Sequence, residues 1–477
     1  MNEKVAYYVG FFLRVFSGIL LLPVVVGLLF GESFVVLEGF IFASFVSIVA
    51  SFFLMFGKKG KLSPIDGMVT AVICWITAVS IGSIPFMHVL EWGFIDAFFE
   101  TMSGFTTTGI TLVTAVEALP SSLIFWRAII QWFGGLGILS FFVVVIVEAG
   151  GVANTFFNAE ADKTDSGKIR PSLFNSVKSL WYVYIVFTLL QTVLLYIGGI
   201  SIFNSLNYAL TTMPTGGFSH TAGGVGGFNS VFIKTVFIFF MFAGGTNFLL
   251  LHKLLKGRFK EFFKDFELKL YLKITGFSFL VVFSGVLLSE GGLFDSFITS
   301  IFQTVSVISS TGFELRGLME FPEVSRMILV SLMFVGGSLG STTGGIKIFR
   351  LGVLFKIVAR EVKSFSLPKN ALNYVEVNGE KIRDSVVFRI VSIVFLWAFM
   401  VFFVGLLTVV FSELTIFESM QGVLSSISSM GPLLISQETV IVLPGPVKVL
   451  WAITMLAGRL ELLPLLVFLN AEILRRK

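Results

Sequence analysis

The sequence predicts an all-α polytopic membrane protein, in which four pseudo-repeats surround one central pore and two extra transmembrane helices precede them. Three observations support this fold class: the composition, the length of the apolar runs and a glycine turn that recurs four times. Of the 477 residues, 55% are hydrophobic and only 13% are charged, and the mean hydropathy is +0.94. A water-soluble domain cannot bury so much apolar surface, so we expect the chain to lie in a bilayer.

Ten apolar runs reach the length of about 20 residues that a helix needs to cross a bilayer. They lie near residues 12–30, 34–56, 64–88, 122–147, 177–198, 229–251, 274–290, 324–346, 386–411 and 447–470. The runs are continuous and do not alternate between polar and apolar residues, which favours helices over a closed barrel. The first run has no small-residue cleavage site, so we expect it to stay as a membrane anchor.

Four glycines divide the chain at a regular distance. Gly109, Gly216, Gly312 and Gly431 are separated by 107, 96 and 119 residues, and each lies between a short segment and another long apolar run. Solenoid and propeller repeats have periods of only about 20–50 residues, so this spacing indicates copies of one larger unit. Each unit is predicted to contain an apolar helix, a short re-entrant pore helix, a filter loop and a second apolar helix.

The spacing divides the chain into five parts. An N-terminal transmembrane helix pair covers residues 1–60, and the four pore repeats cover residues 61–160, 161–260, 261–365 and 366–477. No soluble stretch is long enough to form a separate domain. No nucleophile-base pair, metal cluster or nucleotide fold is recognisable, so we expect neither an enzyme nor a cofactor.

Basic residues collect in alternate loops, which predicts the orientation. They are frequent at 58–61, 163–178, 253–273, 347–389 and 475–477 and sparse in the intervening loops. By the positive-inside bias both termini are cytoplasmic, in the cytoplasmic (inner) cell membrane. The formal net charge of +5 is dispersed over these loops, so we interpret it as a topology signal and expect no nucleic acid as partner.

This orientation places the four glycine turns on the outer side, where each follows a segment too short to cross the bilayer. Irregular backbone at membrane depth is tolerated only where it lines water or is buried in protein. Backbone carbonyls and hydroxyls can replace the hydration shell of a monovalent cation without holding it too tightly. We therefore expect a potassium-binding selectivity filter made of Thr107, Thr108, Gly109, Thr215, Gly216, Ser310, Thr311, Gly312, Ser429, Met430 and Gly431.

The second helix of each unit carries a pair of small residues, and the fourth copy is different. The pairs are Gly134-Gly135, Gly244-Gly245 and Gly336-Gly337, whereas Gly458 is followed by Arg459. A charge in mid-helix costs about 2.5–3.5 kcal/mol on insertion scales, so Arg459 needs a reason to be there. It is predicted to be a barrier below the filter; the alternative is a buried structural ion pair.

The second helix of the third unit is predicted to be interrupted. Gly336, Gly337, Gly340, Gly344 and Gly345 lie within ten residues, which makes a continuous helix improbable. We expect a mobile intramembrane loop there, below the filter. A phosphate-binding loop is disfavoured because the Gly-Lys-Ser/Thr pattern is absent.

These motifs resemble the Trk/Ktr/HKT superfamily of potassium transporters, and most of all its bacterial TrkH branch. Besides the four turns, the resemblance rests on 126–127, 131–135, 336–347 and 458–461, and it covers essentially the whole chain. It implies potassium, and also rubidium, as transported ions, with the loop and Arg459 as the gate. It further implies a homodimer and a cytoplasmic nucleotide-binding regulator of the RCK/TrkA type. Sodium-selective relatives carry serine at the position of Gly109, which favours potassium here.

Two alternatives stay open. Proton- or sodium-coupled symport would need a titratable carboxylate in the path, and Asp96, Glu100, Glu148 and Glu461 are the candidates. A scaffold or receptor would have no need for four re-entrant turns. The residues do not distinguish channel-like conduction from coupled transport.

Overall fold

The computed structural model describes residues 2–137, 169–221, 223–366, 374–377 and 380–470. Within these residues the protein is helical apart from its loops and one small hairpin. The hairpin pairs Glu376–Val377 with Glu380–Lys381 in antiparallel fashion. The predicted all-α membrane fold is confirmed.

The N-terminal helix pair is formed by Glu3–Leu20, its continuation Leu22–Leu29 and the antiparallel Phe34–Leu54. Small polar residues join the two: the Ser47 hydroxyl donates to the Leu13 carbonyl at 2.8 Å. Such hydrogen bonds are a common means of holding helices together in lipid. The opposite face exposes large apolar side chains, including Phe45 and Phe53, as expected where a helix contacts lipid.

The first helix of each repeat is long. These helices are Pro64–Gly82 with its continuation Ile84–Leu90, then Ile169–Ile197, Phe266–Glu290 and Asp384–Phe411. Ser63 and Asp66 form a capping box at the start of the first, and the Asp265 carboxylate caps the third. Together with the N-terminal pair, they account for the six described helices that are long and apolar enough to cross a membrane.

A short helix follows in every repeat and ends at a glycine turn. The short helices are Phe94–Phe105, Ile202–Thr212, Leu293–Ile308 and Ile416–Ile427, with 12, 11, 16 and 12 residues. At a rise of about 1.5 Å per residue they cannot cross a bilayer of about 30 Å. They have the lengths expected of re-entrant helices.

The second helices differ from the prediction, because those of repeats 2 and 4 are interrupted as well as that of repeat 3, and the first departs from α-helical geometry. The first, Ser121–Trp132, continues as a π-helical turn at Phe133–Gly137, and residues 138–147 of the predicted span lie outside the described part. The second is bent by 114° between Val231–Gly244 and Phe248–Leu255. The third is Glu323–Leu332, separated from Ile348–Ser364 by an irregular loop, and the fourth is Gly445–Arg459, followed by Leu463–Leu469. The breaks fall at or just after the small pairs, where helix propensity is lowest.

The repeats pack in a cycle. The second helices of repeats 1, 2 and 4 contact the short helices of repeats 2, 3 and 1, respectively. This arrangement buries the glycine turns and the C-terminal ends of the short helices, whereas the N-terminal ends of the short helices remain exposed. The remaining described elements are the peripheral helices Phe259–Lys264 and Gln437–Val442 and the 3-10 turns Val116–Ala118, Gly224–Gly227 and Leu318–Glu320.

Candidate functional site

The four glycine turns have the same backbone conformation. Thr107, Thr215, Ser310 and Ser429 have φ angles of 55°, 58°, 53° and 51°, in the left-handed region that non-glycine residues seldom adopt. Two residues later each turn has a glycine with positive φ, at 85°, 73°, 80° and 97°. Four copies of so unusual a conformation identify structurally equivalent positions.

This equivalence corrects the predicted alignment in the second repeat. The glycine with positive φ there is Gly217, whereas Gly216 occupies the position of Thr108, Thr311 and Met430. The hydrogen bonds agree: the N–H of Thr108 donates to Ser103 O at 2.8 Å, and that of Gly216 donates to Thr211 O at 2.9 Å. The sequence alone did not show which of the two adjacent glycines aligns with Gly109, Gly312 and Gly431, because either one could be the left-handed residue.

The four turns close into a ring. A β-carbon on any of the glycines 109, 217, 312 and 431 would lie within 3.0 Å of a backbone oxygen of a neighbouring turn. That oxygen belongs to Gly216, Thr311, Met430 and Thr108, respectively, so each turn contacts the next and the fourth contacts the first. Since protein Cβ atoms essentially never come so close to another atom, glycine is required at all four positions by space as well as by φ.

Buried hydroxyls lie next to this ring. Thr107, Thr215, Ser310 and Ser429 are all fully buried. Among the described residues, the hydroxyls of Thr107, Ser310 and Ser429 have no hydrogen-bond partner. The Thr215 hydroxyl donates to Pro214 O at 2.6 Å and to the Thr342 hydroxyl at 3.3 Å. Buried oxygen atoms without a hydrogen-bond partner cost free energy in an apolar interior. These positions therefore suit a cation that oxygen atoms can coordinate.

A buried ion pair supports the first two turns from behind. Arg127 Nε and Glu100 Oε1 are 3.2 Å apart, and both side chains are fully buried. Glu100 also accepts from the Leu112 N–H at 2.8 Å, while Arg127 donates to the Ser219 carbonyl at 3.1 Å. The pair therefore links the loop after the first turn to the loop after the second.

The small pairs lie directly below the turns. A β-carbon on Gly134 or Gly458 would collide with the carbonyl of Phe105 or Ile427 in the same repeat. Tyr184 stacks on Trp132 with ring centroids 5.2 Å apart, and Tyr271 stacks on Phe242 at 4.6 Å. Each of these stacked pairs joins a second helix to the first helix of the next repeat.

Arg459 binds backbone oxygens and not a carboxylate. Its Nη1 donates to Thr342 O at 2.7 Å, and its Nη2 donates to Gly134 O at 2.7 Å and Gly135 O at 2.6 Å. The side chain is only 8% exposed, and none of the ion pairs among the described residues includes it. Its described partners are thus backbone carbonyls, and the guanidinium lies between repeats 1 and 3.

The irregular segment between residues 333 and 347 is closely attached to its surroundings. Gly336 N donates to Ile346 O at 2.9 Å, and Ser338 N donates to Gly245 O at 2.9 Å. The Thr342 hydroxyl donates to Met213 O at 3.0 Å and to Gly244 O at 3.2 Å. We call residues 336–345 the intramembrane loop. Its contacts, with those of Arg459, bring backbone of all four repeats together beneath the ring.

Three of the four carboxylates considered for ion coupling are held in ion pairs. Asp96 binds Lys448 at 2.6 Å, Glu100 binds Arg127, and Glu461 binds Arg350 at 2.5 Å. Glu148 lies outside the described residues. Ion pairing of this kind is consistent with a structural role for these three carboxylates.

Sequence reasoning missed a carboxyl group near the third turn. Glu314 follows Gly312 by two residues, and its Oε1 is buried without a partner among the described residues. Burial, with a smaller effect of Glu320, raises the pKa of the Glu314 carboxyl from 4.5 to about 8. In the sequence, the only indication of this carboxyl group was that Glu314 lies two residues after the filter glycine Gly312.

Known proteins resemble the chain over its whole length. Residues 32–474 match the TrkH family model, described as cation transport protein. An uncharacterized cation transporter of Methanocaldococcus jannaschii is 31% identical, over 98% of this chain and 94% of that protein. The Trk system potassium uptake protein TrkH of Salmonella typhimurium is 30% identical over 96% of both chains. The crystal structure of the potassium transporter TrkH from Vibrio parahaemolyticus superposes with a TM-score of 0.88, at 28% identity, over 99% of both chains.

Proposed function

Because the chain belongs to the TrkH family of cation transport proteins, we propose that it takes up potassium through the ring of four glycine turns. The observation that carries this proposal is the closed contact cycle, in which each glycine abuts a carbonyl oxygen of the next turn. Only a single axis through four loops produces such a cycle. The repeats at 61–160, 161–260, 261–365 and 366–477 would then form one pathway in the cytoplasmic membrane.

The chemistry of the ring suits a dehydrated monovalent cation. Carbonyl and hydroxyl oxygens carry partial charges, so they can replace water around an ion without trapping it. The four short helices end at the turns, and their C-terminal ends contribute further partial negative charge. Potassium is the proposed ion because relatives named as potassium transporters match the chain from end to end; rubidium is the practical tracer.

We propose that Arg459 and the intramembrane loop form the gate. The contacts beneath the ring support this proposal, since the guanidinium bridges Thr342 of the loop to Gly134 and Gly135. A fixed positive charge there opposes cation passage electrostatically. Opening requires the loop to break its hydrogen bonds to the carbonyls of Gly244 and Gly245. The loop then has a closed conformation with these bonds and an open conformation without them.

The loop leads directly into a helix that we place on the cytoplasmic side. We propose that a regulator binds this helix and moves the loop through it. Ile348–Ser364 follows the loop, and its outward positions include Lys363 as well as the apolar Phe355, Val358 and Val362. An RCK/TrkA-type nucleotide-binding partner and a second copy of the chain are the proposed neighbours of this surface. With both termini cytoplasmic, the helix lies on the side where such a regulator is available.

The test is rubidium uptake into liposomes that contain the purified protein alone. With equal pH on both sides and a potassium gradient, we expect slow uptake that external potassium blocks. Arg459→Ala removes the barrier and should increase uptake about tenfold or more, the effect of roughly 1.4 kcal/mol on an equilibrium. Uptake that requires a pH or sodium gradient in both forms would contradict the pore and support coupled transport.

A further inference from the structure

Gln131 lies in the second helix of repeat 1 and uses both halves of its amide on the second turn. Its Nε2 donates to Gly216 O at 2.8 Å, and its Oε1 accepts from the Phe218 N–H at 3.2 Å. The side chain is fully buried. The two bonds hold the backbone immediately before and immediately after Gly217, the glycine that belongs to the ring.

The side chain of Gln131 also explains why residue 216 is a glycine. Unlike Gly217, Gly216 is not among the residues with positive φ, so its backbone conformation would tolerate a side chain. A β-carbon there would meet the amide of Gln131, within 2.5 Å of Oε1 and 2.7 Å of Nε2. The amide therefore occupies the space that a side chain of residue 216 would need.

The other repeats carry a different combination at the same two positions. Three residues before the first member of each small pair, Gln131 corresponds to Met241, Met333 and Met455, all fully buried. The positions equivalent to Gly216 carry the side chains of Thr108, Thr311 and Met430. A polar amide on the second helix thus occurs once, and it occurs opposite the one turn that lacks a side chain.

The Gly216 carbonyl is one of the four that contact the ring glycines, since it abuts Gly109. A carbonyl oxygen has two lone pairs, and the Gln131 amide engages one of them. This bond fixes the direction of the carbonyl and reduces the negative charge it presents on the axis. The second turn therefore presents a weaker ligand than the other three, in a fixed orientation.

We propose that Gln131 is a specificity-determining positioning residue, which replaces the missing side chain of residue 216 and sets the ion preference of the ring. The inference rests on the proposed function, because it needs a conducting filter. Without the amide, two consecutive glycines leave the second turn the least restrained of the four. A ring with one mobile member then discriminates less sharply between potassium and sodium.

The experiment measures how strongly external potassium and external sodium each block rubidium uptake in liposomes. Gln131→Met conserves volume and introduces the residue of the other three repeats. We expect the ratio of the sodium to the potassium concentration needed for half-block to fall about tenfold, the scale of one or two lost buried hydrogen bonds. Met241→Leu, at the same position in repeat 2, is the matched control and should leave the ratio unchanged.

A reciprocal pair of variants separates positioning from general damage. Gly216→Thr alone places a side chain against the amide and should lower the sodium-to-potassium ratio at least as far as Gln131→Met does. Gln131→Met with Gly216→Thr recreates the Met-Thr combination of two other repeats and should recover at least half of the lost discrimination, measured as a double-mutant cycle. If Gln131→Met does not elute as a folded protein, Gly216→Ala displaces the amide by a single methyl group and provides the same measurement.

Each outcome bears on one hypothesis. A folded Gln131→Met variant with an unchanged sodium-to-potassium ratio would overturn the inference, even if its total uptake were lower. A wild-type protein whose rubidium uptake potassium does not block would instead overturn the proposed function. A reduced ratio that the second substitution restores would support both.

Discussion

The ring of glycine turns and the second helices beneath it follow opposite rules. At the ring of turns, four loops repeat one backbone conformation, with φ angles of the left-handed residue between 51° and 58°. Below the ring, the described parts of the four second helices differ: they show a π-helical turn, a 114° bend, an irregular loop and a break after Arg459.

This contrast between the ring and the helices beneath it follows from different geometric requirements. A single ion on an axis is coordinated by several oxygens at once, so the loops that supply them have to agree in geometry. A gate needs only one movable barrier, and identical barriers in every repeat would have to open together. Divergence below the ring therefore removes no ligand, and it is compatible with the proposed gate of one loop and one arginine.

The largest expected effect is at the ring, where Gly312→Ala should reduce rubidium uptake to background. The added β-carbon would collide with Met430 O, and φ at this position is 80°, which strains a non-glycine residue by about 1–3 kcal/mol. Gly276→Ala is the matched control, because a β-carbon there has open space. Normal uptake by folded Gly312→Ala protein would show that the ring is not the ion path.

A smaller effect is expected below the ring, where Glu461→Gln should raise basal rubidium uptake about three- to tenfold. The Arg350–Glu461 pair, at 2.5 Å, joins the helix after the intramembrane loop to the segment after Arg459, and partly exposed pairs contribute about 1 kcal/mol. Glu361→Gln changes a carboxylate that is 59% exposed on the helix Ile348–Ser364, which also carries Arg350, and should leave uptake unchanged. Equal changes in uptake in both variants would show that the Arg350–Glu461 pair has no specific effect on uptake.

The smallest effect concerns the outer side of the third turn, where the repeats differ again. The pKa of Glu314 is raised to about 8 from 4.5, so the folded protein keeps a proton that the unfolded chain loses above pH 4.5. Stability should therefore fall as the pH rises from about 4.5 to 8, and Glu314→Gln should remove this slope. Thermal unfolding in detergent between pH 5 and 8 measures it, with Glu323→Gln, at a side chain that is 93% exposed, as control. Parallel slopes in all three proteins would contradict the assignment.

Much of the fold was predictable because it depends on local composition. The long apolar runs predicted the first helices, and the four glycines located the turns, since only glycine suits their conformation. The sequence also indicated the break at Gly336–Gly345. It did not indicate the breaks in the other second helices, because two adjacent glycines reduce helix propensity without prescribing a bend.

The contacts at the site were harder to predict. The sequence assigned to Gly216 the left-handed position that the structure gives to Gly217, and it did not reveal that Gln131, 85 residues away in the chain, binds the Gly216 carbonyl. The partners of Arg459 were likewise hidden, because the carbonyls of Thr342, Gly134 and Gly135 carry no sequence signal.

The sequence by itself determined the membrane location, the fourfold repeat and the residue types of the turns, because hydropathy and backbone freedom are properties of short segments. Only the tertiary structure decided which glycine enters the ring, which oxygens Arg459 binds and which residues hold the intramembrane loop. Those contacts join segments 85 to 325 residues apart, and they exist only once the four repeats have packed together.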